Sequence, residues 1–170
     1  FILKPWNDDD LRVTVALALE QFDLITRNRA LKAENAQKAK EISALSKLAA
    51  THRSDELMQE IKDAYIMNVS DNLNASTEHI GDRLFHIKIA EASGNPTYAF
   101  FIRYLLGKQY TELFNRLQTL YTPEDMPLRS QVEHHQILMA IEKQRPEQAR
   151  IAMQTHLNSV IEIFSRSIDV

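Results

Sequence analysis

Apolar residues along this chain recur mainly at three- and four-residue intervals, the period of an α-helix with one buried face. Leu31, Ala36, Ile42, Leu45 and Leu48 form one such series, Leu57, Ile61, Tyr65 and Met67 a second, and Leu84, Phe85, Ile89 and Ala90 a third. Further series follow in an aromatic-rich stretch after Pro96, around Ile137, Leu138 and Ile141, and from Ala149 to Phe164. Beyond the first few residues no segment alternates apolar and polar positions for long between turn signals, so no further strand is expected.

Punctuation between the series sets the predicted boundaries. Asn7 or Asp8 can cap a first helix through "LRVTVALALEQF", and "NRALKAENAQKAKEISALSKLAA" either continues it or restarts after a break near Asp23. Ser54 caps the next helix, with Asp55 and Glu56 placed to favour its dipole. The polar run "SDNLNAST" precedes a fourth helix, which "SGNP" ends: Gly94 suits the left-handed position after a helix and Pro96 the first turn of the next. That fifth helix is expected over residues 96–120, a sixth over "LRSQVEHHQILMAIEK", and a seventh from Pro146 to about Ser167. The expectation is an all-α bundle of about seven helices.

Several polar residues lie on the stripes that should be buried. Asp82 and His86, one turn apart, share a face with Phe85 and Ile89; His134 shares one with Ile137, Leu138 and Ile141; His156 stands between Met153 and Val160. A lone histidine on such a face needs only one hydrogen bond. A buried carboxylate costs several kcal/mol, roughly, unless it meets a cation or donors. An Asp-x-x-x-His pair on one helical face offers an oxygen and a nitrogen to adjacent positions on a divalent ion, and histidines from two other helices could complete the shell. Spacing alone leaves two readings open, a metal site and a purely structural Asp–His network. His79 shares roughly the same face and could substitute as a ligand; His135 should be the outward neighbour of His134, and Glu133 should point away.

Composition narrows the chemistry. Without cysteine, any metal must be held by nitrogen and oxygen, and the absence of disulfides fits a cytoplasmic protein. The 20 basic residues are scattered and the net charge is −3, which argues against this segment alone gripping nucleic acid. No apolar run approaches a membrane span, and no nucleophile motif or glycine-rich phosphate loop occurs. Water activation on a metal would make the chain a helical hydrolase, but only Glu133 is near enough to serve as a base.

The blocks "DRLFHIKIAEASGNP", "EHHQILMAI" and "PEQARIAMQTHL", in that order across roughly residues 75–165, resemble the C-terminal ligand-binding (FCD) domain of GntR-family transcription regulators of the FadR type. The resemblance implies an antiparallel bundle with a central metal and effector pocket. It implies that Asp82, His86, His134 and His156 hold one divalent transition metal, zinc foremost, with nickel, manganese or iron compatible. It also implies a small organic-acid or sugar-acid effector, a homodimer, and operator DNA contacted through a winged-helix domain ahead of this chain. Residues 1–6 would be the end of that domain and its linker, and residues 7–170 the helical effector-binding domain. Where the family often places Arg-x-x-Leu-Glu, this sequence has Asn28 and Lys32, so Arg27, Arg29 and, on the long fifth helix, Lys108 are the candidate effector contacts.

Overall fold

The computed structural model describes residues 8–76, 78–107 and 122–166, and these are almost entirely helical. Six helices occur among them: α1 (Asp8–His52), α2 (Asp55–Leu73), α3 (Ile80–Ala92), α4 (Pro96–Gly107), α5 (Met126–Glu142) and α6 (Pro146–Arg166). The two helical stretches before Ser54, either continuous or broken near Asp23 by the sequence, form one helix. Nothing between residues 8 and 52 is glycine or proline, and a lone Asp23 costs too little to end a helix. Residues 1–6, expected to be the end of a preceding domain and its linker, and the stretch 108–120 of the expected fifth helix lie outside the described residues.

The chain divides into two compact units, residues 1–37 and 38–170. In the first, α1 carries large apolar side chains that are exposed, in two stripes on opposite sides of the helix. Leu11, Val15, Phe22 and Ile25 form one, and Val13, Leu17 and Leu24 the other.

The second unit contains the core. Ser54 accepts a hydrogen bond from the Leu57 amide at 3.2 Å and so starts α2 as expected. Gly94 ends the α3 turn in the left-handed conformation, φ 75°. Asn95 then caps α4, its side-chain oxygen accepting from the amides of Thr97 and Tyr98 at 3.1 and 3.2 Å, with Pro96 in the first turn. A short turn at residues 143–145 folds α6 back along α5. Packing runs α4–α3–α2–α5–α6.

Met58, Ile61 and Ala64 of α2 meet Phe85 and Ile89 of α3, Ile137 and Ile141 of α5, and Ala149 and Met153 of α6 in one buried cluster. Ala49 and Ala50 at the end of α1 join it. Arg53 ties the α1–α2 junction to the end of α5, donating to the Ile141 and Glu142 carbonyls at 3.5 and 3.0 Å. This core brings the inward faces of α2, α3, α5 and α6 to a common polar centre.

Candidate metal centre

The four residues singled out on apolar stripes converge. His134 is fully buried and His156 nearly so, at 0% and 4% exposure. The Nε2 atoms of these two rings stand 3.3 Å apart. Asp82 Oδ1 lies 3.6 Å from His134 Nε2. His86 stacks on the His156 ring at 5.2 Å between centroids and meets the His134 ring edge-on at 5.0 Å. One nitrogen from each of His86, His134 and His156 can be chosen so that all lie within 4.8 Å of one another.

The helices explain this convergence. On α3, Asp82 and His86 sit one turn apart, flanking Phe85, whose ring is fully buried and lies 4.8 Å from His134. On α5, His134 continues the stripe of Ile137, Leu138 and Ile141, all buried. His156 continues the stripe of Ala149 and Met153 on α6.

The far sides of the two buried rings are also occupied. His134 Nδ1 is 3.1 Å from Asn68 Oδ1, and His156 Nδ1 is 2.9 Å from Glu133 Oε2. Glu133 is held in turn by Ser159, whose hydroxyl donates to Oε1 at 2.7 Å. Burial works to raise the Glu133 carboxyl, but the bonds from His156 and Ser159 outweigh it and hold the group below its ordinary range, so it stays ionised. An ionised carboxylate can only accept, which puts the His156 proton on Nδ1. The Asn68 carbonyl does the same for His134.

With both rings neutral, both Nε2 atoms present lone pairs to each other at 3.3 Å. Among the described residues, Ser130 Oγ is the hydroxyl within reach of His134 Nε2, at a long 3.5 Å. Two facing lone pairs repel, and a cation between them removes the repulsion. Two nitrogens on one tetrahedral zinc, each about 2.0–2.1 Å from it, would stand about 3.3–3.4 Å apart. A ligating histidine whose other nitrogen bonds a carboxylate or carbonyl is the usual arrangement around such ions. The donor set fits a metal.

Electrostatics keep the rings ready to ligate. His86 retains some accessible surface, but protein atoms crowd its ring; burial first, and His156 second, lower its pKa to about 4 against an opposing pull from Asp82. His134 is pushed well below its ordinary value, by burial and then by its two histidine neighbours. Neutral imidazole is the form a metal needs.

Other expectations fare differently. His79 sits at the start of α3 in a left-handed conformation, φ 47°, and is not part of the histidine cluster. His135 is the outward neighbour of His134, exposed and 5.8 Å from the Tyr65 ring. Glu133 does not point away, as expected, but inward to His156, because α6 lies on that side of α5. Asn68 was missed, although it extends the buried α2 stripe of Ile61 and Ala64 and a buried asparagine there needed a reason. Arg27 and Arg29 are exposed on α1 within the first unit, and Arg27 pairs with Asp23 at 3.7 Å. Lys108 lies outside the described residues.

Comparison with known proteins agrees with the fold. No curated protein matches the sequence. Eight solved chains do, among them E. coli McbR/YncC, with a TM-score of 0.66 and 17% identity, covering 79% of this chain and 64% of that one. At that identity the likeness is one of fold, and this chain spans less than two thirds of its neighbour's length. The family model described as the FCD domain matches residues 41–159, a stretch that includes Asp82 and all three histidines of the cluster. The match covers well over half the chain, and the chain belongs to the FCD domain family.

Proposed function

We propose that this chain is the metal-dependent effector-sensing domain of a bacterial GntR-type transcription regulator. Asp82, His86, His134 and His156 hold one divalent transition metal, with zinc the best fit to three imidazoles and a carboxylate. The observation that carries the reading is the pair of facing Nε2 atoms at 3.3 Å, each ring anchored from behind by an acceptor. Asn68 and Glu133 orient the ligands, and the metal supplies an anchor for an anionic group.

The effector is a small organic acid or sugar acid whose carboxylate completes the shell. It acts by linkage: an acid that binds one arrangement of a homodimer better than another shifts the attached DNA-binding domains between states. Operator DNA is contacted through a winged-helix domain outside this chain. Lys108 remains a candidate contact for the acid.

The hydrolase reading weighed from the sequence needs a general base beside the ion. Glu133 is the nearest candidate, and it is already engaged by His156 and Ser159. The regulatory reading is therefore preferred.

The test is metal analysis of untagged protein purified without added metal, followed by a thermal-shift screen of organic and sugar acids with and without chelator. Near-stoichiometric transition metal, and acids that raise the melting temperature only in its presence, are expected. Less than about a tenth of an equivalent, with no metal restoring stability, would sink the reading.

A further inference from the structure

The crossing of α2 and α3 is unusually close, and it lies directly behind the metal centre. A Cβ built on Gly81 would fall 2.1 Å from the Asn68 backbone nitrogen and 2.4 Å from the Met67 carbonyl carbon. Those are backbone atoms, so no rotamer change relieves the clash, and only glycine lets the two helices meet at this separation.

The same crossing is fastened by Asp71. Its Oδ2 accepts from the Gly81 amide at 2.7 Å. Gly81 is the second residue of α3, so this amide is one of the first-turn donors that the helix itself cannot satisfy. The residue ahead of the helix, His79, makes no side-chain cap bond. Its place is taken by a carboxylate from α2, whose negative charge also favours the positive end of the α3 dipole.

Both neighbours of this fastening touch His134. Asn68, whose backbone abuts Gly81, holds His134 Nδ1 at 3.1 Å. Asp82, the residue after Gly81, stands 3.6 Å from His134 Nε2. One helix crossing thus sets what lies on each side of the same imidazole. A wider crossing would carry Asp82 and His86 away from Asn68 and from the ring that Asn68 orients.

We infer that Asp71 and Gly81 are positioning residues for the metal centre, setting its affinity through the α2–α3 separation without touching the ion. This rests on the metal reading proposed above. Neither residue carries a ligand atom in the cluster, and Asp71 lies fifteen residues before His86.

The test uses the full chain, zinc competition against a chromophoric chelator, and the visible spectrum of cobalt(II) as a report on four-coordinate geometry. Asp71→Ala is expected to weaken zinc binding about tenfold or more, the usual effect of removing a residue that orients ligands. It should also alter the cobalt spectrum, while Asp71→Asn, which keeps an acceptor for the Gly81 amide, restores most of the affinity. Ala149→Gly, a core change two turns from His156, serves as a control that loses stability but keeps wild-type affinity. Wild-type affinity and spectrum in Asp71→Ala overturn the inference while leaving the metal site intact. Equal loss in Ala149→Gly also overturns it, because affinity would then follow general stability. Failure of the wild-type protein to bind zinc overturns the metal reading and this inference with it. Should Asp71→Ala not fold, Asp71→Ser, polar but too short to reach Gly81, takes its place with the same expected loss.

Discussion

His134 and His156 face each other Nε2 to Nε2 across 3.3 Å, each with its Nδ1 given to an acceptor behind it. Neither nitrogen of the facing pair has a proton to offer the other while both rings are neutral. Replacing either ring by alanine removes a ligand and the repulsion together. His134→Ala and His156→Ala should each lower zinc affinity about a hundredfold or more, whereas His52→Ala, on an exposed residue at the end of α1, should leave it unchanged. Zinc competition titrations decide this, and equal effects from all three would count against the ligand assignment.

Glu133 gives a second expectation, because it bonds His156 without belonging to the ligand set. Glu133→Gln preserves shape but replaces a charged acceptor by a neutral one. Affinity should drop about 10–100-fold, with the ligands themselves unchanged. The same titration, run beside a denaturant curve of the metal-free protein, separates this from a loss of folding; unchanged affinity would show that the 2.9 Å bond is incidental.

Acid sensitivity follows from the depressed histidines. In the metal-free folded protein His86 stays neutral down to about pH 4, and His134 is lowered too, both chiefly through burial. In the unfolded chain a histidine takes up its proton near pH 6.5, roughly. Below that value the unfolded state binds more protons than the folded one, so stability falls as pH falls from about 6.5 toward 4. Bound metal holds the rings neutral and should delay the fall. Melting temperatures from pH 8 to 4, with and without chelator, test this, and a flat profile between pH 7 and 5 in chelator contradicts it.

Phe85 is a packing prediction. Its ring is fully buried, 6.1 Å from Tyr65 and 4.8 Å from His134. Phe85→Ala should cost about 3–5 kcal/mol through lost burial and the cavity left behind. Urea denaturation of the metal-free protein measures it, and a loss below about 1 kcal/mol would mean that the core collapses around the gap.

Most of the candidate site was legible in the sequence, because helical spacing and side-chain chemistry conflict at Asp82, His86, His134 and His156. A residue on an apolar stripe that water would otherwise hold needs an internal reason, and four such residues on three helices share one. Glu133 was misread because spacing fixes direction only relative to its own helix: it points toward α6, whose position no local pattern reveals. Asn68 required knowing that α2 passes behind His134. The continuity of α1 was left open by a polar stretch near Asp23 that resembles a break but contains no residue able to make one. Its exposed stripes, Leu11 to Ile25 and Val13 to Leu24, illustrate the converse, since apolar periodicity shows what a helix can bury and not what it buries against.

The spread of the donor residues along the chain has a consequence for folding. His86 and His134 are separated by about fifty residues, and a further stretch divides His134 from His156. An ion gripping all three closes loops in the manner of a crosslink, and the entropy removed from the unfolded chain by a closure of this length corresponds to about 4 kcal/mol in the disulfide case. A metal held this way acts as a reversible staple. Its removal should lower the stability of the folded chain with no side chain changed.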